Sequence, residues 1–155
     1  MSKNINLSDF SNFLQSRASE IDSHISRTIA LCCEKVRSDI QYEMAHTEIN
    51  TEKSYYSNNK TTPHHPSLPG NPPAVDSGNL RESIRYEIHN EGKTVYGIVG
   101  DTLQEDKYGE DLEYGTSDGK LAPRPWLRPA MLKNNDFIRS HIAKAVADTF
   151  KGGNE

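Results

Sequence analysis

The chain has 155 residues, 34% of them hydrophobic, and a mean hydropathy of −0.79, so it has room for one domain with a modest core. Its net charge of −4 argues against general nucleic-acid binding, and no apolar run approaches the roughly 20 residues of a membrane span. A chain this polar is expected to bury part of its apolar surface against partners.

Residues 1–6 lead into no apolar signal region, so synthesis in a cytoplasm is expected. Residues 8–50 read as one long helix. Phe10, Phe13, Leu14, Ala18, Ile21, Ile25, Ile29, Cys32, Val36, Ile40 and Met44 follow one another mostly at steps of three and four, which makes one stripe. No Pro or Gly interrupts them, and the helix would be about 60 Å long. Ser8 is the expected N-cap, and Asp9 complements the dipole. The stripe fits a core-packing helix or one whose far end packs on a neighbouring subunit. Cys32 and Cys33 point about 100° apart on such a helix. They make neither a metal pair nor a disulfide, and one is expected inside with the other at the edge.

Residues 51–75 form a polar, Pro-rich connection, read as an extended arm that reaches another subunit and is dispensable for folding. His64 and His65 point to opposite sides of an extended chain. No Cys or carboxylate stands beside them at ligand spacing, so metal binding is disfavoured. The stretch from Pro69 to Ile84 then turns into a short helix and a strand. Asp76 or Ser77 can accept hydrogen bonds at the start of the turn, and Gly78 lets it begin.

Residues 83–89 alternate as a strand, with Ile84, Tyr86 and Ile88 inward. Asn90 to Lys93 is a hairpin turn, and 94–100 is the return strand, in which Gly97 marks a bulge or a close backbone approach. Residues 101–118 hold seven acids against Lys107 alone. They read as a solvated acidic loop, or as an acidic surface facing a basic partner or a DNA passage. Tyr108 to Tyr114 suits a short helix, with a third strand left open, and Gly115 ends it. Trp126 is expected to anchor the core where the last helix meets the sheet. Arg124 and Arg128 either pair with the acids of 105–113 or stay solvated. A single C-terminal helix over 128–151 starts with Pro129 in its first turn and stops at Gly152-Gly153.

The expected fold class is α+β. A long N-terminal helix and a C-terminal helix pack on a small antiparallel sheet, with a long Pro-rich extended arm. It forms one domain, divided as helix 8–50, arm 51–75, small α/β core with acidic loop 76–127, and helix 128–151. No catalytic motif, phosphate-binding loop or calcium-loop spacing is present, so neither an enzyme nor a cofactor is expected. Asp76, His89 and Glu113 are selected by no spacing.

Four motifs stand in order. They are Pro72-Pro73-Ala74-Val75-Asp76-Ser77-Gly78-Asn79-Leu80-Arg81-Glu82-Ser83-Ile84; Val99-Gly100; Tyr108-Gly109 with Glu113-Tyr114-Gly115-Thr116; and Arg124-Pro125-Trp126-Leu127-Arg128-Pro129-Ala130. Together they resemble the neck or tail-component family of lambdoid tailed phages and their prophages. The resemblance covers residues 66–132, and the departures are Ser77 for Thr, Gly109 for Ala and Trp126 for Phe. It implies a structural virion protein at the head–tail junction, assembled in the host cytoplasm. Such a protein forms a homo-oligomeric ring, sixfold or twelvefold, between head-closure or adaptor proteins above and the tail terminator or tail tube below. DNA passes through the lumen without sequence-specific binding.

On this resemblance Asp76, Gly78, Leu80, Arg81, Ile84, Glu113, Gly115, Thr116, Arg124, Pro125, Trp126 and Pro129 are structural. His64, His65, Glu105, Asp106, Glu110 and Asp111 are candidate subunit or lumen contacts. The rival readings are a tail terminator or tail-completion ring, a metal-dependent hydrolase using His64 and His65, and a DNA-binding regulator, which the charge disfavours.

Overall fold

The computed structural model describes residues 7–56, 63–92, 94–102 and 108–151. Helix α1 (Leu7–His46) is followed by a short helix α2 (Asn79–Ser83) and a hairpin of β1 (Ile84–Glu91) and β2 (Thr94–Asp101). Two more short elements, α3 (Tyr108–Tyr114) and α4 (Leu127–Lys133), lead into α5 (Asn135–Lys151). The fold is α+β, with a small two-stranded antiparallel sheet.

The C-terminal half of α1 is the spine. Val36, Ile40 and Met44 fall on one face and pack with Leu80, Ile84, Leu112, Trp126 and Ala130. Ile84 is completely buried, and a side chain of its size contributes about 1.5–3 kcal/mol through that burial. α1 already includes Leu7, so Ser8 stands within the helix and not at an N-cap. It ends at His46, four residues before the expected 50. Asn50 makes the reversal that follows: its side-chain oxygen accepts the backbone N–H groups of Glu52 and Lys53.

β1 and β2 pair in unbroken register from Ile84 opposite Asp101 to Glu91 opposite Thr94, and Gly92 turns the hairpin at φ 63°. Opposed residues share a face of the sheet. Ile88 and Gly97 therefore face α1 together, and Gly97 lies against Cys33 and Ile29. Gly97 marks a close approach and no bulge. Both cysteines are buried, against the expectation of one at the edge, because the hairpin and α5 both pack on α1. Burial pushes both thiols above the usual range, so neither is a ready nucleophile.

The single helix expected over 128–151 is two. Asn134 is buried at the break, and its side-chain amide donates to Ala130 O at 3.0 Å and to Asp39 Oδ2 at 2.8 Å. That second bond reaches α1, so the break is set by a tertiary contact. Burial disfavours the Asp39 charge, but hydrogen bonds from Lys35 and Asn134 outweigh it and hold the carboxyl below its usual range. α5 then runs antiparallel along α1. Lys133 reaches Glu43 at 2.6 Å at one end, and Asp148 and Thr149 stand beside Arg17–His24 at the other.

Candidate interaction site

The motif residues converge on the start of α4. A helix start leaves backbone N–H groups without intrahelical partners. Here Glu113, delivered by α3, supplies the acceptors: its Oε2 takes the N–H of Trp126 at 2.7 Å and of Leu127 at 2.9 Å, and its Oε1 takes that of Arg128 at 3.1 Å. Pro129, next in line, has no N–H to satisfy. Trp126 is buried and donates its indole N–H to Gly109 O at 3.0 Å, tying α4 back to α3. Gly109 fits because a Cβ there would lie 3.4 Å from the indole and only 2.0 Å from Asp101 Oδ2. Gly115 closes α3 at φ 80°, donating to Asp111 O at 2.8 Å.

Glu113 is thus no part of an acidic surface. Arg128 meets it through its backbone N–H, while its guanidinium lies over the Tyr114 ring, 5.2 Å from the centroid. Arg124 donates to two backbone carbonyls, Ser67 O at 3.3 Å and Ala122 O at 3.2 Å. Gly78 is the N-cap of α2 at φ 90°, and Ser77 Oγ accepts the Asn79 N–H. Leu80 and Ile84 are in the core, and the carbonyl of Arg81 accepts the Gln41 side chain at 2.8 Å. Pro125 is half-buried, and Pro129 is exposed.

Thr116 and Asp118 shape the loop after α3. The Thr116 hydroxyl donates to Asp118 Oδ1 at 2.7 Å, the Lys120 N–H does so at 3.1 Å, and the Lys120 ammonium lies 2.8 Å from Oδ2. Chiefly through the Lys120 side chain, then Thr116, the Asp118 carboxyl is held down to about 2. A depressed carboxyl adds stability above its unfolded pKa, and that contribution disappears as pH falls through about 2. Carboxyl-carbon NMR should therefore show Asp118 titrating near 2, and Lys120→Ala should move the midpoint toward the ordinary value. An ordinary midpoint in the parent protein would refute this arrangement.

The arm expected to reach a neighbour is laced, from Pro63 onward, to its own chain. Tyr55 and His64 exchange backbone bonds at 3.0 and 2.8 Å, Asn50 N–H reaches Pro66 O at 2.7 Å, and Leu68 N–H reaches Glu48 O at 3.2 Å. Thr47 Oγ1 donates to Pro72 O, Gly70 N–H donates to Pro123 O, and Ser67 is buried. Removing residues 56–70 would strip all of these bonds except that from Thr47 to Pro72, so the deletion should lower stability, read as a reduced urea midpoint. Residues 57–62 of the arm, and Glu105 and Asp106 of the acidic loop, lie outside the described residues.

His64 and Asp76 come together, with Nδ1 3.8 Å from Oδ1, and the Tyr55 ring meets His64 edge-on at 5.0 Å. Burial, and then the Asp76 carboxylate, push the Tyr108 phenol up, with Arg124 opposing. Sequence reasoning missed this cluster of Tyr55, His64, Asp76, Tyr108 and Arg124, because its members come from four separate segments. His65 turns the other way, toward Lys53 O at 3.0 Å, as an extended backbone requires. His89 pairs with Glu87 at 3.1 Å and stacks on Tyr96, so Asp76, His89 and Glu113 each have separate surroundings. Glu110 is exposed and Asp111 half-buried on α3.

Among the described residues, no three His, Cys, Asp or Glu side chains group to hold a metal ion. No described helix is long and apolar enough to cross a membrane. No family model, no curated protein and no solved structure matches the chain.

Proposed function

We propose that this chain is a structural subunit of the head–tail joint of a tailed phage, building a homo-oligomeric ring between head-closure and tail proteins. The observation that carries the reading is that the ordered motifs interlock. Glu113 of one motif caps the helix opened by another, and Leu80 and Ile84 of the first pack in the same core as Trp126. The motif positions therefore do structural work, as they would in a virion protein without an active site. In this reading Glu110 and Asp111 would line the channel, where anionic walls let DNA slide past. His64 and His65 would lie near the subunit boundary.

The test is deletion of the gene in the phage or prophage that carries it. Filled heads and finished tails that fail to join, and that join when the protein is added back, are the expected result. Tails of irregular length would instead make it the tail terminator. Normal, infectious particles would overturn the proposal.

A further inference from the structure

The sheet has two strands, so each has an outer edge, and no strand pairs with either edge among the described residues. The register fixes which backbone groups stand at the edge of β1. The Thr102 N–H donates to Ser83 O at 3.1 Å in line with the ladder. The pairs that exchange backbone bonds are therefore Arg85 with Gly100, Glu87 with Ile98, His89 with Tyr96 and Glu91 with Thr94. The N–H and C=O groups of Tyr86, Ile88 and Asn90 point away from β2. The Ile84 carbonyl does so too, and Arg85 Nη1 covers it at 3.0 Å. β1 is eight residues long, with no Pro and no bulge to close its edge. The helices that follow the hairpin also leave it open. Gln41 bonds to Arg81 O just before β1, and Arg37 lies near Tyr86, whereas Asp39 and Glu43 hold Asn134 and Lys133. Residues two apart on a helix point about 200° apart, so β1 and the α4–α5 break lie on opposite flanks of α1.

We propose that the β1 edge takes the β1 edge of a second copy, antiparallel about a two-fold axis at Ile88, so that two hairpins form one four-stranded sheet. The order of charges on β1 selects both the occupant and the register. On the face turned away from α1 the strand carries Arg85, Glu87, His89 and Glu91, in that order. With Ile88 opposite Ile88, Arg85 of each copy stands opposite Glu91 of the other, and Glu87 stands opposite His89. Directly opposed groups of opposite charge stabilise a sheet, and like charges destabilise it. A slide of two residues one way sets Glu87 opposite Glu87. The same slide the other way sets His89 opposite His89 and Glu87 opposite Glu91. A slide of four leaves half of the favourable pairs. In the chosen register the new ladder joins Ile88 to Ile88 and Tyr86 to Asn90, and it leaves the Ile84 carbonyl to Arg85. The axis is perpendicular to the sheet, so both α1 helices lie on one side of it. Two strand spacings, about 10 Å, separate them, which is a distance at which helices pack.

One strand edge from each copy is a small contact, so the pair is weak, with a Kd on the order of 10–100 μM. The contact is isologous, so every complementary feature occurs twice. A joint with two unlike faces has only a rotation axis along its channel, so the two-fold pair is a state of the free protein. It is read in solution and the joint on particles, so either reading can fail without the other.

Sedimentation of the full chain from micromolar to about millimolar concentration should show a monomer–dimer equilibrium. Arg85→Glu alone, or Glu91→Arg alone, sets like charges opposite each other twice and should weaken the dimer about tenfold. The double variant exchanges the two charges and restores their opposition, so its dimer should return to within about threefold of the parent. Chains carrying Glu87→Cys mixed with chains carrying His89→Cys should form a disulfide between copies, because an opposed pair that exchanges no backbone bonds brings its Cα atoms within bridging distance. Glu87→Cys chains alone should link far more slowly. A parent protein that stays monomeric throughout would overturn the proposal. So would a double variant as weak as the single ones, or Glu87→Cys chains that link to one another as fast as to His89→Cys chains.

Discussion

Replacing Glu113 with Ala should lower the free energy of unfolding by about 3 kcal/mol, read as a reduced urea midpoint at unchanged slope. The carboxylate is buried and accepts three backbone N–H groups at the start of α4. Leaving a buried donor unpaired costs about 1–3 kcal/mol, and water entering the vacated space recovers part of the sum. Glu113→Gln should fall between. One oxygen can still serve Trp126 and Leu127, but the amide –NH₂ would then face the Arg128 N–H, donor against donor. The loss should also disturb Trp126, whose backbone N–H is one of the three, so its near-ultraviolet circular dichroism should weaken in the same order. An Ala variant within about 0.5 kcal/mol of the parent would mean that water satisfies this helix start as well as the carboxylate does.

Glu113 also shows where reading the sequence stops. Among the seven acids of 101–118 nothing local distinguishes it, and it is singled out only by the three N–H groups that α4 brings from thirteen to fifteen residues away. The same holds at Asn134. Its neighbours in sequence support a continuous helix, and the break is stabilised by Asp39, 95 residues earlier. Long α1 was legible because its periodicity is local and no Pro or Gly contradicts it. Trp126 as a core anchor was legible from its size and apolar neighbours. The bonding of the arm to its own chain was not legible for a specific reason. Its prolines lack N–H groups, but their carbonyls remain acceptors for distant donors, and Pro66 and Pro72 both use them. The first turns of α1 are the converse. Their apolar stripe looks the same in sequence as the part that builds the core, and only the length of α5 decides which part is covered.

Gly97→Ala is the sharper test of how the hairpin is seated. In an open strand, Ala would be favoured over Gly by roughly 0.5–1 kcal/mol. At this position the sign should reverse. An added Cβ would lie 2.4 Å from Cys33 Sγ and 2.9 Å from Ile29 Cγ2, both on α1, with Ile88 Cδ1 at 3.3 Å. Neither α1 contact is the tip of a long flexible side chain, so β2 must lift away from α1, at a cost of about 2 kcal/mol. The effect should spread, because a two-stranded sheet has little stability of its own and leans on the helix beneath it. Cys33→Ala removes the nearer obstacle while leaving Ile29 in place. The double variant should therefore be more stable than the sum of the single losses allows, by on the order of 1 kcal/mol. Urea unfolding of the parent, the two single variants and the double variant measures that coupling directly. Strict additivity would mean that Gly97 and Cys33 do not meet and that the hairpin sits on α1 in another register. A positive coupling with a residual loss would place both Cys33 and Ile29 against the glycine.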